Sequence, residues 1–196
     1  MFKEKKTAMV GTLVVALFLS SLTLTNPGKA LAVSAFLKVD GVPGESTDDK
    51  HKDYIEVISW SFGDTQPTVA ATSSGGARSA ARVQMRDFRF NMRTNKASPM
   101  LFQACASGEH VKEVTLEVCK SDKDKQKFLA IKLTDVIVSS FISPGSSGTG
   151  SADLYPMEEI MLNFGKIDIT YTQLDPQTGK PKGDIKASWD VINNKK

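Results

Sequence analysis

Apolar and polar residues alternate with a period of two along most of the chain from residue 34 onward, a pattern typical of half-buried β-strands. The first such run places Ala35, Leu37 and Val39 on one face. A second run, from Tyr54 to Phe62, places Ile58, Trp60 and Phe62 on one face, and further runs follow at 114–118, 129–133 and 185–191. Turn-forming residues separate the runs, so the pattern predicts an all-β sandwich or barrel.

In three places the alternation changes phase between odd-numbered and even-numbered positions. The first change separates Val83 and Met85 from Phe88, Phe90 and Met92. The second separates Leu129, Ile131 and Leu133 from Val136 and Val138. The third separates Ile160, Leu162 and Phe164 from Ile167, Ile169 and Tyr171. A strand that keeps its core on one side must insert a residue there, so each change marks a bulge or a sharp bend. Bent strands favour a barrel, whereas two short strands at each place would suit a sandwich equally well. We predict a mainly β fold: a bent-strand β-barrel with one flanking α-helix.

The sequence predicts one helix, which begins near Ser98 and ends at Gly108. Ser98 is a suitable N-cap residue and Pro99 fits the first turn. Leu101, Phe102 and Cys105 then form an apolar stripe. We expect this stripe to pack against the barrel.

Two segments are too polar and too rich in small residues to predict regular structure. The first, 64–80, contains the run Ser73, Ser74, Gly75 and Gly76, and the second is 143–151. Such segments are most often mobile hairpin tips. A sharper interpretation is that the first segment orders on meeting a neighbouring subunit, since long loops in compact domains are often functional.

Residues 1–32 have the order of parts found in a secretory signal peptide. Lys3, Lys5 and Lys6 form the charged region, an apolar stretch reaches Leu24, and Ala30-Leu31-Ala32 provides small residues for cleavage. The alternative is an uncleaved membrane anchor. We expect a cleaved signal peptide at 1–32, an export route to the periplasm or the medium, and a barrel domain at 33–196.

Removal of residues 1–32 takes the net positive charge with it and leaves 21 basic and 21 acidic residues. The charges lie mixed along the chain, and basic clusters interleaved with aromatic residues do not occur. The sequence therefore predicts no nucleic-acid partner, and no stable membrane insertion once the signal is removed.

The search for catalytic chemistry finds few candidates. The two histidines, His51 and His110, lie in polar, turn-like sequence, and no CxxC, HExxH, Walker or GxSxG pattern occurs. Cys105 and His110 are the one conceivable thiol–imidazole pair, but a cysteine in an apolar helical stripe is far more often a packing residue. For Cys105 and Cys119, a free or loosely packed pair is favoured over a disulfide. We predict a protein that is not an enzyme, with neither metal nor cofactor.

Six segments, taken together and in order, resemble a known family. They are AFLKVDGVPGES at 35–46, IEVISWSFG at 55–63, SPMLFQACASGEH at 98–110, IKLTDVIVSS at 131–140, LNFGKIDITY at 162–171 and SWDVINNKK at 188–196. In sequence, order and spacing they resemble the haemolysin-coregulated protein (Hcp) family, which forms the tube of the bacterial type VI secretion machine.

The resemblance implies a β-barrel subunit that forms a six-membered ring. Stacked rings would make a hollow tube that can carry small effector proteins, and the subunit would itself be secreted. The segment 64–80 falls where the family carries an extended loop that contacts neighbouring subunits. This implies that Ser73, Ser74, Gly75 and Gly76 belong to an assembly loop.

The predicted signal peptide departs from the family, whose tube subunits assemble in the cytoplasm. One explanation is a wrongly assigned start, for example at a valine codon such as Val33, which would leave assembly in the cytoplasm. The other is an exported Hcp-like barrel that binds a ligand outside the cytoplasm without a contractile tube.

Overall fold

A computed structural model describes the fold. It covers residues 33–69, 79–80, 82–121, 125–145, 155–175 and 177–196. This part of the chain contains one helix and twelve strands. The helix is α1 (Ser98–Ser107), and the strands are β1 (Val33–Val39), β2 (Ile55–Val57), β3 (Ser59–Ser61), β4 (Asp64–Thr65), β5 (Thr68–Val69), β6 (Ser79–Ala80), β7 (Gln84–Met85), β8 (Phe88–Arg93), β9 (His110–Lys120), β10 (Lys127–Ile142), β11 (Met157–Leu174) and β12 (Pro181–Asp190).

The main sheet is antiparallel in the order β2-β1-β9-β10-β11-β8-β3. Its two ends belong to one stretch of chain, because only Ile58 separates β2, which pairs with β1, from β3, which pairs with β8. The sheet is thereby a nearly closed barrel, as predicted. β12 lies outside this path and pairs with the second half of β11, residues 166–174.

The core is built by the inward-facing residues of the alternating runs. Phe88, Phe90 and Met92 on β8 are fully buried, and they meet Leu37 and Ile55 from the first part of the chain within one apolar cluster. Burial of side chains of this size contributes about 1.5–3 kcal/mol each. The period-two pattern therefore predicts the inward face correctly over most strands.

A single corner runs across β9, β10 and β11, where all three strands change phase at the same level. The buried residues jump from Val111 to Val114, from Leu133 to Val136 and from Phe164 to Ile167. These positions lie opposite one another in the strand register, so the register is unbroken through the corner. The backbone of Asp135 turns there with a φ of 54°. The two predicted bends in β10 and β11 are confirmed as parts of this one corner.

Two of the predicted strand features are wrong in detail. The first phase change does not bend one strand, because Met85 ends β7 and Phe88 begins the separate strand β8. In the run 54–62, Ile58 and Phe62 are exposed, and the buried residues are Ile55 and Val57 instead. The reason is that the chain passes from β2 to β3 at Ile58 and changes its pairing partner there.

Helix α1 packs against β10 and ends as predicted, with Gly108 in the left-handed conformation. The N-cap is Ala97 rather than Ser98, and Ser98 is the first helical residue. The buried face is Ser98, Leu101 and Ala104, while Phe102 is exposed. Cys105 packs against the core as predicted, but Phe102 lies at the rim, where it contacts Phe141 of β10 edge-on at 5.9 Å and stays mostly exposed.

Candidate assembly surface

The segment 64–80 is more regular than its composition predicts. Its flanks form a two-stranded ribbon, in which β4 pairs with β7 and β5 pairs with β6. The predicted irregular structure is therefore wrong for these flanks. The proposed assembly residues Ser73, Ser74, Gly75 and Gly76 lie outside the described residues. The second segment predicted to be irregular, 143–151, is described only at 143–145.

An arginine joins the base of this ribbon to the end of the chain. The Arg82 guanidinium donates to the carbonyl oxygens of Val191 and Ile192, the latter at 3.0 Å. Those carbonyls belong to the turn that follows β12, which Asp190 stabilises by accepting a hydrogen bond from the Asn193 amide at 2.7 Å. The ribbon and the C-terminal turn are thus held to each other.

An apolar row crosses five strands on the core side of the sheet, buried at one end and exposed at the other. Ala35, Val118, Leu129, Tyr171 and Ile185 are opposite one another in the register of β1, β9, β10, β11 and β12. Ala35 is 6% exposed and Val118 is 1% exposed, whereas Tyr171 is 45% exposed and Ile185 is 66% exposed. The core side of the sheet therefore extends beyond the barrel and presents apolar side chains to solvent.

Strand β12 also presents a free edge at this place. Among the described residues β12 pairs with β11 alone, so its outer row of backbone amide and carbonyl groups has no partner strand. Lys182, Asp184 and Lys186 on the strand are exposed. Charged residues discourage indiscriminate edge pairing, and a free edge beside an apolar row is suited to a specific protein partner.

The turn between β11 and β12 is held firmly by one carboxylate. Asp175 accepts hydrogen bonds from the backbone amides of Gln177 and Thr178 and pairs with the Lys182 ammonium at 3.0 Å. The amide of Thr178 and the ammonium of Lys182 together lower the pKa of Asp175 to about 2. The exposed end of the sheet therefore has a fixed hairpin.

A small apolar cavity lies between the base of the ribbon and β12. It has a volume of about 130 Å³, and Phe62, Met85, Ile167 and Trp189 contribute to its lining. The indole N–H of Trp189 is buried and has no hydrogen-bond partner among the described residues. Such a donor costs about 1–3 kcal/mol relative to a satisfied one.

The thiols and imidazoles are arranged differently from the sequence expectation. Both cysteines are free, as favoured. Cys105 lies in the helix, while the His110 Nδ1 is 2.7 Å from an Asp135 carboxylate oxygen. His51 lies in a turn and both of its ring nitrogens face carboxylates, as its polar, turn-like sequence predicts, but the side chain is only 3% exposed. Its Nε2 is 3.8 Å from the Cys119 sulfur. Sequence reasoning missed this contact because the two residues are 68 positions apart and meet only when a loop folds over the sheet.

Glu158 and Glu159 point to opposite faces of β11, as adjacent strand residues must. Glu158 is buried and accepts hydrogen bonds from the hydroxyls of Ser98 at 2.6 Å, Thr94 at 3.0 Å and Ser143 at 3.1 Å. Glu159 instead pairs with Arg89 at 3.5 Å. The two carboxylates therefore have separate structural partners and do not form an acid–base pair.

Neither a metal nor a membrane-spanning helix is indicated by the described residues. Within them, no group of three or more histidine, cysteine or acidic side chains is placed to hold a metal ion. In the same ranges, no helix has the length and apolar character needed to cross a bilayer.

Comparison with known proteins finds the same family from sequence and from structure. The family model described as "Type VI secretion system effector, Hcp" matches residues 36–171. Protein hcp1 of Pseudomonas aeruginosa is 32% identical over 165 residues, which are 84% of this chain and 98% of that protein. A solved structure described as a type six secretion system protein has 33% identity, covers 84% of this chain and 99% of its own, and has a TM-score of 0.76. The crystal structure of Hcp1 from Salmonella typhimurium, with the same identity and coverage, has a TM-score of 0.67.

Proposed function

Because the chain belongs to the Hcp family of type VI secretion proteins, as its six sequence segments predict, we propose that it is a structural subunit that closes into a ring. Rings of six copies stack into a tube, and the tube is secreted and carries small effector proteins in its lumen. The protein works by assembly and not by catalysis.

The observation that carries the proposal is the exposed apolar row beside the free edge of β12. Tyr171 and Ile185 face solvent in the single chain. A second copy that packs there covers both side chains and pairs with the free backbone groups of β12. Burial of one isoleucine side chain contributes about 1.5–3 kcal/mol. In a closed ring this contact repeats at every interface, so the gain is multiplied around the ring.

Ring closure is tested with one substitution in the row and a matched one outside it. Ile185→Asp places a charge at the interface, and we expect it to shift the protein from rings to monomers in native mass spectrometry. Ile192→Asp is the matched control, since Ile192 is 62% exposed but lies on the turn after β12. Rings that survive Ile185→Asp as well as they survive Ile192→Asp contradict the proposed interface.

Stacking of rings is assigned to the ribbon and its tip. The resemblance implies a neighbour contact at Ser73, Ser74, Gly75 and Gly76, and the ribbon flanks of this segment are paired strands. Substitution of Gly75 and Gly76 by bulky residues is expected to leave single rings but to abolish tubes in negative-stain electron microscopy. Tubes of unchanged length would refute the assignment.

A second function is favoured by the pattern of residues 1–32. In this alternative the signal peptide is cleaved near Ala32, and residues 33–196 act as an exported binding barrel without stacking. N-terminal sequencing of the protein from fractionated cells decides between the routes. A chain that starts at Val33 in the periplasm or the medium supports export, while an intact Met1 in the cytoplasm supports assembly inside the cell.

A further inference from the structure

A second, smaller core lies outside the barrel, under the loop that connects β1 to β2. Phe36 points away from the barrel core and is covered by this loop. The His51 ring stacks on it with a centroid distance of 4.2 Å and an angle of 3° between the planes. The Tyr54 ring contacts the same imidazole in a T-shaped arrangement, with a centroid distance of 5.4 Å. An imidazole is thereby enclosed on a surface that would otherwise be an open sheet face.

The backbone of the loop is closed by hydrogen bonds between its two arms. The Gly44 amide donates to the Asp53 carbonyl at 2.7 Å, and the Asp53 amide donates to the Ser46 carbonyl at 2.9 Å. The Ser46 amide donates to the Tyr54 carbonyl at 3.0 Å. The loop therefore moves as one unit if it leaves the sheet.

Each nitrogen of the His51 ring faces a carboxylate from a different element. Nδ1 is 2.7 Å from Asp48 Oδ1 in the loop, and Nε2 is 3.1 Å from Glu117 Oε2 on β9. The Asp48 carboxylate is almost completely buried and the Glu117 carboxylate is about one-fifth exposed. The imidazole is thus the polar connection between the loop and the sheet.

The other charged and titratable groups around this cluster come from the loop and from the strands beneath it. The Lys125 ammonium pairs with the second oxygen of Asp48, and the Lys127 ammonium pairs with the second oxygen of Glu117 at 2.6 Å. The Cys119 thiol lies 3.8 Å from Nε2, and Lys50 acts on that thiol through its charge. Burial, with a smaller contribution from Glu117, raises the pKa of the Cys119 thiol.

The geometry requires a proton on both ring nitrogens if both contacts are to be hydrogen bonds. A neutral imidazole has one donor and one acceptor nitrogen, whereas a carboxylate only accepts. Loss of one ring proton therefore leaves a lone pair facing a carboxylate, and one of the two contacts becomes repulsive. Hydrogen bonds to charged groups are the stronger class, so this loss is large for a loop of this size.

We propose that His51, held between Asp48 and Glu117, is a pH-sensitive clasp that closes the β1–β2 loop over the sheet. The clasp is closed when the imidazole carries both protons and the carboxylates are ionised. It loosens when a rise in pH removes one of the two ring protons, and the loop then opens and exposes Cys119. The device lies on the face of β1 and β9 opposite to Ala35 and Val118 of the apolar row.

Cys119 supplies a direct measurement of loop opening, because it is buried under the closed loop. The experiment uses the full chain with Cys105→Ser, so that Cys119 is the one thiol. Its rate of reaction with a small disulfide reagent is measured from about pH 5 to about pH 8, a range that stays below the ordinary thiol pKa of about 8.5. Each rate is divided by the rate of the urea-unfolded protein at the same pH, which corrects for the fraction of thiolate in an exposed chain.

We expect the normalised rate to rise by about tenfold across this range, which corresponds to about 1.4 kcal/mol in the opening equilibrium. Glu117→Gln is the decisive variant, because a glutamine amide can donate to an unprotonated Nε2. In that variant the rate is expected to be independent of pH. Glu113→Gln, four positions away on the same strand and paired with Lys132, is the matched control and should retain the rise.

Three results would overturn the proposal. The first is a normalised rate that does not change with pH in the parent protein, and the second is an unchanged rise of that rate in Glu117→Gln. The third is a rate independent of pH in Lys127→Met, because that result would assign the pH dependence to the Lys127–Glu117 ion pair. Amide hydrogen exchange provides a second measurement on the unsubstituted chain. The Ser46 and Asp53 amides should lose protection as the pH rises while the Leu116 amide in the barrel does not.

Discussion

Gly165 lies in the corner of the barrel, and its replacement by alanine tests why the strands can change phase there. A Cβ atom at this position would be 2.9 Å from Ile192 Cδ1 and 3.2 Å from both Cβ and Oδ2 of Asp135. Asp135 cannot move away easily, since its backbone has a φ of 54° and its carboxylate contacts His110 at 2.7 Å. Ile192 is exposed and its terminal methyl can shift.

The expected cost follows from these two neighbours. Overpacking by one methyl group costs about 1–3 kcal/mol, and the mobile Ile192 end places Gly165→Ala near the lower part of this range, at about 1–2 kcal/mol. The measurement is the free energy of unfolding from urea denaturation. Gly183→Ala is the control, because a Cβ at Gly183 in β12 meets nothing within 4 Å, and it should cost much less.

A double substitution separates the two contacts at Gly165. Ile192→Ala removes the atom nearest to the new Cβ, so in the Gly165→Ala background it is expected to recover part of the lost stability. The Asp135 contact remains and should keep the rest of the cost. Equal unfolding free energies for Gly165→Ala and Gly183→Ala would refute the close approach of the strands at the corner.

Four further substitutions test separate parts of the fold by urea denaturation. Gly44→Ala should cost about 3 kcal/mol or more, because the new Cβ would lie 2.2 Å from a backbone oxygen. Gly63→Ala is the control, since a Cβ at Gly63 meets nothing within 4 Å. Similar losses of stability in the two variants would contradict the close approach at Gly44. Trp189→Phe removes an unsatisfied buried N–H and should be neutral or stabilising, and a loss above about 2 kcal/mol would reveal a partner for that donor. Folding lowers the pKa of Asp175 from its ordinary value of 3.8 to about 2, so the ionised carboxylate stabilises the fold above pH 3.8, and this stabilisation is lost as the pH falls toward about 2. Asp175→Asn should remove this pH dependence of stability, and an unchanged pH profile in the variant would contradict the role of Asp175. Glu158→Gln replaces one acceptor of three hydroxyl hydrogen bonds and should cost about 1–3 kcal/mol, so a neutral effect would contradict its role.

The barrel could be predicted from the sequence because its core obeys a local rule. Alternation at Leu37, Phe90 and Ile131 reports directly which side of each strand is buried. The phase changes at Val136 and Ile167 can be recognised in the sequence for the same reason, and the burial of these residues confirms the bends in β10 and β11. The matching phase change in β9 could not be recognised in the sequence, because Val111 lies one residue from the start of the strand and leaves no alternating run before the change.

Features that depend on contacts distant in sequence could not be predicted. His51 looks like a turn residue in the sequence, and only the folded loop places it on Phe36 and beside Glu117. Ile185 belongs to a correct alternating pattern, but the pattern cannot show that the barrel ends before it reaches β12. The pattern reports which face a residue lies on, and the tertiary structure determines whether anything covers that face.

The native mass of the purified chain tests the central claim of assembly most directly. With a cleaved or an uncleaved N-terminus, we expect a closed ring whose mass is six times that of one copy, at concentrations where Ile185→Asp is monomeric. A protein that remains a monomer at the highest soluble concentration would contradict assembly into rings.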